Sequence, residues 1–120
     1  MNNSGFNLTA NDQLVFTRFI ANQAHTRGLA VGLKNNLHQV NELNSYFDFA
    51  VNEQCYEYQE CELLTPFINN NKAVFHVEYN SKYSNGSAEL INMCDDAINR
   101  QFNTLVLPIN LDDEFRISCL

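Results

Sequence analysis

Four times along the chain an amphipathic stretch gives way to a short, almost wholly apolar run that ends in polar residues. Thr9 is placed to cap a first helix, with Asp12 three residues on as a variant of the capping box. Residues 10–27 then carry Leu14, Val15, Phe16, Phe19, Ile20 and Ala24 along one stripe of helical period. Gly28 closes that helix, since glycine turns left-handed without steric cost. The run 29–34 follows as a strand and exits through Lys34, Asn35 and Asn36. A short helix over 40–46 leads to a strand over 47–51, which exits through Asn52, Glu53 and Gln54. A helix over 57–68, interrupted near Pro66, leads to a strand over 73–77 with Glu78 and Tyr79 beyond it. Ser87 caps a last helix reaching about Phe102, and the strand 105–107 exits at Pro108. The tail 109–120 reads as polar and irregular.

Apolar runs of this kind belong to parallel strands, which are covered on both faces. Four helix–strand units in series predict an α/β fold with a parallel sheet, and no linker or low-complexity tract divides residues 1–120 into more than one domain. The glycine fingerprint of a dinucleotide-binding open sheet is missing. The expectation is therefore about half of a TIM (β/α)₈ barrel, in which polar residues at the C-terminal strand ends line the active site.

Composition narrows the partners. A formal net charge of −7 argues against nucleic acid, and no apolar run of about 18 residues is present to span a bilayer. Acids gather over 53–62 and 112–114, a balance that suits a neutral or cationic ligand such as a sugar or an amino sugar. The chain opens Met1-Asn2-Asn3-Ser4 with neither the basic nor the apolar part of a signal peptide, which by itself points to the cytoplasm. Four cysteines and sequons at Asn2, Asn7 and Asn85 point instead to an oxidising compartment, and this conflict suggests a missing segment. Cys55, Cys61, Cys94 and Cys119 allow three connectivities. A Cys55–Cys61 bridge would stiffen the turn just beyond Glu53. Zinc is disfavoured because only one pair is close and the histidines are dispersed, so no metal or cofactor is expected.

Glu53 and Glu78 end adjacent strands, so their carboxylates are candidates for a common cleft. Glycoside hydrolysis needs two such groups, about 5–5.5 Å apart for retention of configuration and about 6.5–9.5 Å for inversion. Lys34 has two readings: a Schiff-base nucleophile, or a cation that pairs with Glu53 or binds substrate, and the second is favoured. His76 reads as a satisfied core histidine pointing into the barrel. Tyr56, Tyr58 and Tyr79 offer a stacking surface for a sugar, or plain packing.

Several uncommon words then fall in order. They are Gly28-Leu29-Ala30-Val31-Gly32-Leu33-Lys34-Asn35, Asp48-Phe49-Ala50-Val51-Asn52-Glu53-Gln54-Cys55 and Tyr58-Gln59-Glu60-Cys61. Lys72-Ala73-Val74-Phe75-His76-Val77-Glu78-Tyr79 follows, after an opening Asn3-Ser4-Gly5-Phe6 with Leu8-Thr9 and Asp12-Gln13-Leu14. In these words, from about Asn2 to Tyr79, the chain resembles glycoside hydrolase family 114, with Asn71 where relatives usually have glycine. The resemblance implies a secreted (β/α)₈ barrel, an endo-α-1,4-polygalactosaminidase that cuts a polysaccharide containing galactosamine. It implies Glu53 as the acid/base, with an Asp partner in a Glu-Pro-Asp-Asn word on an earlier strand, and the 120 residues do not contain that word. Glu78 is not taken as its substitute. Lys34, Asn52, Glu78 and Tyr79 are expected to bind substrate or support the site, and the four cysteines to form disulfides. On this reading the chain is a truncated, inactive fragment. The alternative is a non-catalytic half-barrel that binds carbohydrate or self-associates through exposed sheet edges.

Overall fold

The structure, a computed structural model, describes residues 3–120. Helix α1 spans Ala10–Thr26, and strand β1 spans Gly32–Lys34. A 3₁₀ turn over Leu37–Gln39 runs into α2 (Val40–Leu43), followed by β2 (Phe49–Glu53). A second 3₁₀ turn over Cys61–Leu64 runs into α3 (Thr65–Asn69), followed by β3 (Val74–Glu78). Then come α4 (Ala88–Asn99), β4 (Asn103–Val106) and β5 (Ile117–Ser118). The strands form one sheet in the order β1-β2-β3-β4-β5. The first four are parallel and β5 is antiparallel to β4. The α/β class and the parallel register thus follow the expected alternation of helix and strand.

Strand polarity organises the rest. Leu33, Ala50, Asn52, Val74, His76, Glu78, Thr104 and Val106 are buried on the face that meets the helices. Their neighbours Gly32, Lys34, Phe49, Val51, Glu53, Phe75, Val77 and Leu105 alternate onto the other, more open face. There Phe49 and Phe75 meet edge to face at 5.8 Å. Gly32 is required beside them, because a Cβ at that position would collide with the Phe49 ring. Between sheet and helices, Leu43, Leu64, Phe67, Met93 and Ala97 complete the core.

Four expectations change. The region 57–68 is not one helix: turns, a 3₁₀ segment and a five-residue α3 replace it. Gln59 takes φ 55 and Pro66 lacks an amide donor, and both interrupt a regular helix. The tail is not wholly irregular, since Ile117–Ser118 pairs with β4. β2 and β3 extend further than expected, so Asn52, Glu53 and Glu78 lie within strands. Finally, the apolar stripe of α1 has the predicted period but is mostly not buried. Val15, Phe16, Phe19 and Ile20 are exposed, whereas Ala21 is buried and Leu14 packs on the core.

The helix caps are as expected. Thr9 Oγ1 accepts from the Asp12 amide at 3.1 Å and Asp12 accepts from the Thr9 amide at 2.8 Å, while Ser87 Oγ accepts from the Leu90 amide. Asn71 takes φ 56, the left-handed region that favours glycine and that asparagine also tolerates. Disulfides join Cys55 to Cys61 and Cys94 to Cys119, selecting one of the three connectivities. The second ties α4 to the residue after β5 and so holds that strand on the sheet. Asn7 and Asn85 are exposed, whereas the Asn2 sequon begins outside the described residues. Among the described residues, no helix is long and apolar enough to cross a membrane.

Candidate active site

Glu53 is the last residue of β2, at the C-terminal end of a parallel strand flanked on both sides. Its side chain is 29% exposed on the open face of the sheet. The Tyr79 hydroxyl donates to Glu53 Oε1 at 2.7 Å. Asn35 Nδ2 donates to Oε2 at 3.3 Å, and Lys34 Nζ lies 3.5 Å from the same oxygen. Asn35 also accepts the Glu53 amide on its Oδ1 at 2.9 Å, so one side chain brackets both backbone and carboxylate.

The backbone explains how Asn35 reaches across. Its amide still donates to Val51 O at 2.8 Å, continuing the β1–β2 ladder, but its φ is 52 and that of Asn36 is 55. Asparagine tolerates this left-handed conformation better than most residues. Gln54 behaves alike after β2, donating to Val77 O at 2.8 Å with φ 63. Both strands therefore leave the sheet abruptly, within one residue of the site.

These partners hold the Glu53 carboxyl below the usual glutamate range. The Tyr79 hydroxyl contributes most, followed by Asn35, against an opposing effect of burial, with Lys34 adding a smaller lowering. Burial, and then the hydrogen bond to Glu53, pushes the Tyr79 phenol up to about 12. At neutral pH the pair is an ionised carboxylate facing a protonated phenol.

Of the other expected site residues, Lys34 joins Glu53 as an ion pair and is two-thirds exposed. It lacks the apolar pocket that activates a Schiff-base lysine. Asn52 is buried on the helix side, where its Nδ2 donates to Asn35 Oδ1 at 3.3 Å and steadies the bracket. Glu78 does not share a cleft with Glu53. Val77 pairs with Glu53 across the sheet, so Glu78 projects from the opposite face and is fully buried. This corrects the expectation of a common cleft and of contact between Glu78 and substrate. Glu78 Oε1 instead accepts the Tyr56 amide at 2.8 Å and faces His76 Nε2 at 3.0 Å. His76 Nδ1 faces Thr104 Oγ1 at 3.0 Å, so it is a satisfied core histidine, but it lies on the helix side of the sheet and not on the open face that would line a barrel interior. Cys55, His76 and Glu78 gather within 4.8 Å of one another. The Cys55 sulfur is bonded to Cys61, however, so the trio has no thiolate for a metal.

Tyr56 is half-buried, its ring packed edge to face with His76 at 5.4 Å and its hydroxyl donating to Asp96 at 2.8 Å, which favours the packing reading. Tyr58 is exposed and, with Asn35, His38, Glu53 and Glu60, lines a recess of about 310 Å³. In the sequence Asn35 stands only as a polar residue at a strand end. Its one signal was the Asn-Asn pair directly after an apolar run, where a left-handed exit is expected.

The chain as a whole has counterparts. This chain is similar to the crystal structure of Aspergillus fumigatus Ega3 in complex with galactosamine, with a TM-score of 0.82 and 34% sequence identity. The match covers 98% of this chain and 49% of that one, so the chain spans about half the length of Ega3. No curated protein matches it. The profile of glycoside-hydrolase family GH114 matches residues 1–120, well past Tyr79, where the recognisable sequence words end. With that match running the whole length, and a strand-end carboxylate held by its neighbours, the chain belongs to glycoside-hydrolase family GH114.

Proposed function

We propose that Glu53 is the acid/base of a glycosidase site for polysaccharide containing galactosamine, and that these 120 residues form about half of its (β/α)₈ barrel. The observation that carries this reading is the Glu53 carboxylate, held by Tyr79, Asn35 and Lys34 at a strand end on the open face. Lys34 and Tyr79 are then placed to contact substrate, and Asn52 acts through Asn35. The galactosamine complex of Ega3 and the acidic balance of the chain support an amino-sugar substrate. Two disulfides support a secreted protein.

The protonation state sharpens the role. A general acid must hold a proton, yet Glu53 is kept ionised by its present neighbours. A second carboxylate across the cleft would raise it by like-charge repulsion. The family resemblance assigns that partner to an Asp in a Glu-Pro-Asp-Asn word, which these residues do not contain. Alone, then, the chain is expected to be inactive.

The test is release of reducing ends from poly-α-1,4-galactosamine. The chain alone should show none. Mixing it with the part of Ega3 that it does not match should restore turnover, and Glu53→Gln should remove it. Turnover by the chain alone would overturn the half-site reading, and loss on Glu60→Gln would then name a partner within the Glu53 recess. Restored turnover indifferent to Glu53→Gln would overturn the assignment of Glu53.

A second reading rests on the exposed Val15, Phe16 and Phe19 of α1 and on the open edge of β1. It is a self-associating, carbohydrate-binding half-barrel. β5 already covers the outer edge of β4, so assembly by strand pairing would use the β1 edge. A single monomeric species in sedimentation, with no galactosamine binding, would dispose of it.

A further inference from the structure

The two long helices, α1 and α4, begin alike. Their N-caps, Thr9 and Ser87, are each the hydroxyl residue of a sequon, Asn7-Leu8-Thr9 and Asn85-Gly86-Ser87. Asn7 and Asn85 are exposed, and among the described residues neither side chain has a hydrogen-bond partner. Asn35, Asn44, Asn52 and Asn80 stand in no sequon, and each donates from Nδ2. Asn85 is the second residue of a turn that the Ser87 amide closes by donating to Ser84 O at 3.0 Å. Gly86 follows with φ 78, the positive φ that the third position of a type II turn needs. Both sequons lie on the rim where the strands end. Asn85 is in the loop after β3 and lines a cavity together with Tyr79, the partner of Glu53. The start of α1 is tied to the β1 exit, because Asn36 donates to Gln39 Oε1 at 2.9 Å and Gln39 donates to Ala10 O at 3.0 Å.

We infer that Asn7 and Asn85 are N-glycosylation sites on the rim that holds Glu53, and that their sugars are attached before the two helix caps close. Modification rests on the reading of the chain as secreted, for which the two disulfides speak, and not on the role of Glu53. The donor is an oligosaccharide linked to a polyprenyl pyrophosphate. The asparagine Nδ2 forms a bond to the anomeric carbon and gives up one proton to a base. The bond from that carbon to the pyrophosphate oxygen breaks, and the pyrophosphate leaves with the electron pair. The order of events follows from the hydroxyls, since the motif needs one two residues beyond the asparagine. In the folded chain both are spent. Thr9 Oγ1 accepts from the Asp12 amide at 3.1 Å and donates to Asp12 Oδ2 at 2.7 Å. Ser87 Oγ accepts from the Leu90 amide at 3.1 Å and donates to Lys82 O at 2.9 Å. Once the caps have formed, a transferase meets no free hydroxyl. The exposed asparagines then carry their sugars outward without disturbing either cap, and the bulky, hydrated chains keep this rim in solvent.

The experiment secretes the full chain from a eukaryotic host behind a cleavable leader. Releasing the sugars with an amidase in heavy-oxygen water turns each occupied asparagine into a labelled aspartate, which peptide mass analysis locates. Asn7 and Asn85 should both be labelled. Asn7→Gln and Asn85→Gln should each remove the mass of one glycan, and because they leave Thr9 and Ser87 in place, the helical circular dichroism should not change. A chain that carries both disulfides but no label at either position overturns the sites and leaves the secretory reading standing. A label at one position alone overturns the other site. A chain with neither disulfides nor label overturns the sites and the secretory reading together. The order of events is read with detergent-opened microsomes supplied with the lipid-linked donor. A peptide spanning residues 80–90 should be glycosylated at Asn85, and the folded, disulfide-bonded chain should not. Equal transfer to both would overturn attachment before capping.

Discussion

Glu53 and Glu78 end neighbouring strands and differ by one step of register, yet they occupy opposite faces of the sheet. Glu53 is partly open to solvent and has three side-chain partners, each of which favours its charged form. Glu78 is sealed between sheet and helices, with one oxygen shared by the Tyr56 amide and His76. Its other oxygen has no hydrogen-bond partner among the described residues. An acid at a strand end is thus not enough to define a site. The parity of its position decides whether it faces a ligand or a core, and a shift of one residue exchanges the two. On this reading Glu53 serves chemistry, while Glu78 fastens the Cys55–Cys61 turn to β3 through the Tyr56 amide.

That contrast can be broken by mutation. Glu53→Gln in the restored protein should lower turnover by about 10²–10⁴-fold, the usual range for a proton-transfer group. Its stability in urea should fall only modestly, by about 1 kcal/mol or less, because the carboxylate is partly exposed and its partners lose only the charge-assisted part of their contacts. Glu78→Ala should reverse the pattern. Stranding buried His76 and the Tyr56 amide is expected to cost about 3–5 kcal/mol in urea unfolding. Equal destabilisation by the two variants would erase the distinction between the two acids. Replacing Cys94 and Cys119 together by Ser should cost about 2–4 kcal/mol by freeing the unfolded chain and unpinning β5. The carbon-detected titration of Glu53 should not change in that variant.

Tyr79→Phe tests the electrostatics. Removing the strongest lowering influence should move the Glu53 titration up, towards the ordinary glutamate range. Because the folded-state value is depressed, the carboxylate's contribution to stability is present above the unfolded value, in the ordinary glutamate range. It is lost as pH falls through the lowered folded value. Tyr79→Phe should shrink that acid-side loss, and an unchanged Glu53 titration would show that the hydroxyl does not hold the charge. The smallest effect is expected at Lys34, whose ion pair is largely exposed. Lys34→Met should alter stability by less than about 1 kcal/mol, and less still at high salt.

Much of the fold is legible in local pattern. The capping box at Thr9, the Ser87 cap and the apolar runs that became β1 to β4 rest on neighbours within a few residues. Local chemistry is enough to specify them. The segment 57–68 was not legible, because its course depends on a disulfide and on hydrogen bonds from β3 and α4. Nor was β5, since two residues in a polar tail carry no period, and the Cys94–Cys119 bridge holds them against β4.

For the site, the sequence by itself determined the cast: an acid, an amide pair, a lysine and a tyrosine at successive strand ends. It also supplied Asn35 and Asn36, which tolerate the left-handed backbone that the β1 exit adopts. Only the tertiary structure decided the assembly. Register across β2 and β3 sent Glu53 to the open face and Glu78 to the core. The β1 exit brought Asn35 onto Glu53 from 18 positions away, and the β3 exit brought Tyr79 from 26. Those meetings depend on how separate strands align, and no local pattern encodes that alignment. The exposed stripe of α1 makes the same point in reverse: period specified a helix and its face, while contact alone decides whether that face is covered.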